Sequence, residues 1–60
     1  MDELAGRAVF VTGAGRGIGQ ATALLLARRG ATVGVADLDP QGVQETVRLV
    51  QEAGAQAHGF

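Results

Sequence analysis

The segment Thr12-Gly13-Ala14-Gly15-Arg16-Gly17-Ile18-Gly19 sets glycine at every second position from 13 to 19, and Asp37 follows eighteen positions after the last of them. A glycine-rich turn between a strand and a helix lets a doubly charged pyrophosphate approach the backbone without meeting a Cβ. The free N–H groups and the positive dipole end of the following helix then hold the phosphates. A carboxylate about 20 residues further on, at the end of the next strand, is placed to accept hydrogen bonds from the hydroxyls of an adenosine ribose. The chemistry these residues could do together is the binding of a dinucleotide.

Glycines at this density also occur in ordinary tight connections, so the spacing and the flanking elements decide. The pattern G-x-G-x-x-G fails in both frames, because the last position is Ile18 when counted from Gly13 and Gln20 when counted from Gly15. The pattern T-G-x-x-x-G-x-G fits on Thr12, Gly13, Gly17 and Gly19. On these residues the chain resembles the short-chain dehydrogenase/reductase family, whose nucleotide loop has this form, often with isoleucine at the position of Ile18. The extended members of that family carry G-x-x-G-x-x-G, and Arg16 at the middle position breaks that match. The resemblance also implies that Thr12 steadies the turn through a hydrogen bond to the backbone. The candidate cofactor-binding residues are Gly13, Gly15, Arg16, Gly17, Ile18, Gly19, Asp37 and Leu38.

Asp37 bears on the choice of cofactor. A carboxylate accepts hydrogen bonds from a ribose diol and repels the 2′-phosphate of NADP, which favours NAD. Arg16 argues the other way, since the resemblance associates a basic residue just before the second motif glycine with NADP. No Arg or Lys follows Asp37 directly, and the expected cofactor is NAD, with NADP second.

The surrounding elements must position these groups. Ala8-Val9-Phe10-Val11 is a continuous apolar run of the kind a fully buried strand shows, and Ala31 to Ala36 is a second strand candidate. Residues 18–29 read as a helix with a wide apolar surface that includes Ile18, Ala21 and Leu25, and also Leu24, Leu26 and Ala27. Arg28 and Arg29 complement its negative end, and Gly30 is placed to cap it. Asp39 followed by Pro40 is a helix start, and the helix expected over 40–53 carries Val43, Val47 and Val50 on one stripe with Glu45, Arg48 and Glu52 on the wet side. Gly54 would close it. Residues 55–60 begin a third strand. The expected fold is α/β: the β-α-β-α-β half of a doubly wound, parallel, Rossmann-type sheet. Gly6, Gly34, Gly42 and Gly59 are read as structural, and the lone His58 is given no role.

Composition limits what 60 residues can be. A chain of this size buries only about 60% of the surface its unfolded form exposes. A parallel sheet needs both faces covered, yet two helices following one crossover direction cover one. Residues 1–60 are therefore expected to be the amino-terminal part of a single dinucleotide-binding domain, either a fragment or a chain that pairs with more protein. The sequence contains no Tyr, no Lys and no Ser. The resemblance implies a Tyr general acid/base, a Lys four positions later that lowers its pKa and a Ser that orients the substrate carbonyl, so no catalytic residue is assigned within this chain.

Other functions lack support in the sequence. A net charge of −1 with five scattered arginines offers no basic face for nucleic acid. No apolar run reaches the length of a membrane span, and the acidic start Met1-Asp2-Glu3 is unlike a secretion or mitochondrial signal. No cysteine and a single histidine leave no metal site. Zero cysteine also fits a cytoplasmic protein. The expected function is an oxidoreductase that moves hydride between a nicotinamide and a small alcohol or carbonyl compound, with this chain supplying the NAD-binding segment. The alternatives are a non-catalytic dinucleotide-binding sensor, which would lack a downstream Tyr-x-x-x-Lys, and an NADP-preferring ketoreductase. The resemblance further implies a homo-oligomer for the full-length protein.

Overall fold

The computed structural model describes residues 3–60, so Met1 and Asp2 of the acidic start lie outside the described residues. The elements follow in the order β1 (Ala8–Thr12), α1 (Gly17–Arg28), β2 (Thr32–Ala36), α2 (Pro40–Glu52) and β3 (Ala57–Gly59). The strands form one parallel sheet in the order β1-β2-β3, with Ala8 opposite Thr32 and Val33 opposite Ala57. The element types match the sequence reading. Each boundary moves by no more than one residue except at β3, which starts two residues later than the segment expected for it.

Local chemistry sets the helix ends. Asp39 caps α2 by accepting from the Gln41 N–H at 3.1 Å, directly ahead of Pro40, as the Asp-Pro pair predicts. Gly30 and Gly54 close the two helices with φ of +100° and +90°, which a side chain would resist. Arg48 pairs with Glu45 and Glu52 on the exposed side of α2. Such surface pairs contribute little to stability.

Both helices lie on the sheet face that carries Val33, Val35 and Ala57, all buried. The buried apolar set consists of alanines and valines, with nothing larger. On α2 the stripe includes Val43 and Val50 as expected, with Val47 only half-buried and Thr46 joining the buried set. The face of α1 departs from the expected one. Ala27 is buried and Leu24 and Leu26 are half-buried as expected, but Ile18 is 87% and Leu25 50% exposed, Ala21 is exposed, and Ala23 is buried in their place. Small side chains let α1 approach β1, β2 and α2 closely, and in a helix apolar nearly all round the period does not choose a face.

The opposite sheet face is bare, as the single crossover direction implies. Phe10 and Phe60 stand there 59% and 72% exposed, edge to face with ring centroids 5.2 Å apart. They meet over Gly34, where a Cβ would fall 2.7 Å from Phe10 Cδ1. No helix among the described residues is long and apolar enough to cross a membrane. They also contain no cluster of three or more His, Cys, Asp or Glu side chains that could hold a metal ion.

Candidate dinucleotide-binding site

The parallel register brings the glycine-rich loop and Asp37 together. Thr12 pairs with Ala36, so the chain leaves β1 at Gly13 and β2 at Asp37 side by side, at the carboxyl ends of the strands. Open parallel sheets bind their ligands at that edge. Ala14 N–H donates to Ala36 O at 3.0 Å and extends the pairing into the loop. Gly15 N–H then donates to Asp37 Oδ2 at 3.0 Å, while Asp37 Oδ1 accepts from Asp39 N–H at 3.0 Å. The N–H of Asp39 first, and that of Gly15 second, hold the Asp37 carboxyl below its ordinary pKa. The charge of Arg16 contributes in the same direction, as the last and smallest of these causes.

The motif glycines divide into two kinds. Gly13 and Gly17 have φ of +66° and +62°, and a Cβ on either would meet nothing within 4 Å. They turn the chain and leave open space in front of the backbone, which is the clearance a phosphate needs. Gly19 faces inward: its Cβ would lie 2.1 Å from Gly13 O, so only glycine lets α1 pack on the loop it follows. Gly15 is buried against Asp37, with 3.0 Å between a built Cβ and the carboxylate.

The start of α1 is open as well. Its capping residue is Arg16, in extended conformation with no side-chain hydrogen bond to the first turn, and that turn contains no acidic residue. The N–H groups there, which α2 satisfies with Asp39, are left at α1 for an anion. Ile18 stands in this first turn, largely exposed. Beside the loop lies an open cleft of about 480 Å³ lined by Thr12, Gly13, Ala36, Asp37 and Leu38. Leu38 is fully exposed on its rim.

All eight candidate residues thus surround one edge of the sheet. Thr12 is exposed at the end of β1, and the bonds that steady the turn come from Ala14, Gly15 and the hydroxyl of Thr46, which donates to Ala14 O at 2.7 Å. Two residues on α2 support the loop, of which Gly42 was read as structural without a partner and Thr46 escaped the sequence reading. A Cβ on Gly42 would lie 2.8 Å from Gly15 O, so α2 also seats against the loop. Thr46 occupies a core position on the valine stripe. A glycine inside a helix and a polar residue on its apolar stripe were the available signals for both.

Comparison with known proteins identifies the family. Residues 7–60 match the model of the family described as short chain dehydrogenase. The chain is 54% identical over 46 residues to (3R)-3-hydroxyacyl-CoA dehydrogenase of Homo sapiens, a match covering 77% of this chain and 18% of that protein. It superposes on the structure of NAD+-bound xylitol dehydrogenase with a TM-score of 0.93 and 34% identity, over 97% of this chain and 22% of that one. It superposes on hydroxysteroid dehydrogenase from Escherichia coli with a TM-score of 0.92 and 37% identity, over 95% of this chain and 24% of that one. The chain spans about a fifth of the length of the curated relatives it matches. The match to the family model covers nearly the whole chain, and the protein belongs to the short-chain dehydrogenase family.

Proposed function

We propose that this chain is the NAD-binding amino-terminal part of an oxidoreductase that transfers hydride between a nicotinamide and a small alcohol or carbonyl compound. The observation that carries the reading is the convergence of the uncapped amino end of α1, the clearance at Gly13 and Gly17 and the Asp37 carboxylate on one edge of the sheet. The N–H groups of the Gly13–Gly19 segment would hold the pyrophosphate, with Ile18 beside it. Asp37 would accept from the adenosine ribose hydroxyls, and Leu38 would offer its exposed side chain to the adenine. When bound, the dinucleotide supplies the hydride acceptor or donor. These 60 residues bind and orient it, and the proton transfer belongs to groups elsewhere in the protein.

The bare sheet face supports the same reading, since a parallel sheet is stable with both faces covered and the amino-terminal part of a longer domain would have that cover. A cytoplasmic location fits the absence of cysteine. A homo-oligomer is the assembly proposed for the full-length protein.

One observation favours a second reading, NADP use. Arg16 follows directly on Gly15, whose N–H meets Asp37 Oδ2 at 3.0 Å, so the loop carries a cation next to the point where it meets the carboxylate. The carboxylate itself opposes that phosphate, and NAD remains the first choice.

A spectrophotometric assay of the intact protein tests the activity, with NAD and a panel of primary and secondary alcohols. NAD reduction with one of them, and a Tyr-x-x-x-Lys in the remainder of the sequence, supports the enzyme. No reduction together with the absence of that motif would leave a non-catalytic dinucleotide sensor.

A further inference from the structure

Among the described residues Thr46 is the buried polar side chain of the core, 0% exposed on the stripe it shares with Val43 and Val50. A valine there would fill nearly the same space and leave no hydroxyl to satisfy. The hydroxyl is engaged from two sides. It donates to Ala14 O at 2.7 Å and accepts from Gln20 Nε2 at 2.9 Å. One buried atom thus joins α2, α1 and the glycine-rich loop.

The group it holds belongs to a peptide already held at its other end. Ala14 C=O and Gly15 N–H are the two poles of one peptide plane, and Gly15 N–H donates to Asp37 Oδ2 at 3.0 Å. Rotation of that plane would break both contacts at once. Gly42 closes the remaining side, since its missing side chain lets α2 lie against Gly15 O.

We infer that Thr46, supported by Gln20, is a positioning residue for the dinucleotide: it fixes the Ala14–Gly15 peptide plane, so that the loop stays open to phosphate and Asp37 stays aimed at the ribose. The inference rests on the dinucleotide reading of the loop. Without the hydroxyl the loop is free to sample other peptide orientations, and each binding event must order it again, which weakens affinity. Chemistry at saturating cofactor should change little, because the Thr46 hydroxyl acts through the loop backbone at Ala14 O.

The test uses the intact protein with Thr46→Val, Thr46→Ser and Gln20→Met. Titration with NAD should show Kd raised about tenfold in Thr46→Val, the scale of one buried hydrogen bond. Thr46→Ser should return it to within about threefold of the parent, and Gln20→Met should shift it the same way by a smaller factor. KM for NAD should follow Kd while kcat stays within about twofold. A readout without cofactor is the exchange rate of the Gly15 amide, which should rise in Thr46→Val. Thr46→Val that loses thermal stability yet binds NAD as the parent does would reduce Thr46 to packing and overturn the inference, as would a serine that fails to rescue. Should Thr46→Val not fold, Gln20→Met decides: unchanged affinity and unchanged Gly15 exchange overturn it. A parent protein that binds no dinucleotide, while Gly15 exchange still rises in the variant, would instead overturn the reading of the site and leave the clamp itself standing.

Discussion

Asp37 grips the loop it faces: its Oδ2 lies 3.0 Å from Gly15 N, across twenty-two positions of sequence. The residue proposed to select the ribose is therefore also a latch on the glycine-rich loop. Replacing it should do more than change cofactor preference. Asp37→Ala is expected to weaken NAD binding on the order of tenfold and to raise the affinity for NADP relative to NAD. Parallel titrations of parent and variant with both nucleotides check this, and an unchanged ratio would remove Asp37 from the ribose site.

The latch carries a pH signature. Hydrogen bonds from Asp39 N–H and Gly15 N–H lower the Asp37 pKa in the folded chain. A carboxyl lowered in this way contributes stability that is complete above its ordinary range and is lost as pH falls through the lowered folded value. The difference in unfolding midpoint between the parent and Asp37→Asn should be constant around neutrality and shrink on acidification. A difference that persists unchanged to low pH would mean that the carboxylate charge does not hold the loop.

The inward glycines should be intolerant in a graded way. Gly19→Ala places a methyl 2.1 Å from Gly13 O, against 2.8 Å from Gly15 O for Gly42→Ala. Overpacking against backbone costs about 1–3 kcal/mol and more where nothing can shift. Thermal unfolding should rank Gly19→Ala below Gly42→Ala, and both below the parent. Equal midpoints for all three would show that α1 and α2 do not seat on the loop as described.

Gly17 separates strain from space. Alanine there meets no atom within 4 Å, but it must adopt φ near +62°, a cost of about 1–2 kcal/mol. Gly17→Ala should fold, with a modestly lowered midpoint, and should lose more in NAD affinity than in stability because its methyl enters the space proposed for phosphate. Calorimetric titration beside thermal unfolding measures the two losses separately.

Much of this site was legible in the sequence because its parts are local. Gly13 and Gly17 announce turns, Asp39-Pro40 announces a helix start, and Asp37 falls where the second apolar run ends. What was not legible depends on how elements meet. The length of α1 is apolar nearly all round, so nothing in its pattern said that Ala23 rather than Ile18 and Leu25 would join Ala27 in facing the core. Close approach decided it, and close approach is a property of two surfaces. The loop contact of Gly42, read only as structural, and the role of Thr46 were hidden for the same reason, since their partners Gly15 and Ala14 lie 27 and 32 positions away. Thr12, expected to steady the turn, leaves that work to the backbone of Ala14 and Gly15 and to Thr46.

The central claim, that the Gly13–Gly19 loop and Asp37 form a site for NAD, is tested most directly by titrating the intact protein with NAD and with NADP under the same conditions. Saturable binding of both, with NAD the tighter, is the expected result. Tighter binding of NADP would contradict the role given to Asp37, and binding of neither would contradict the site.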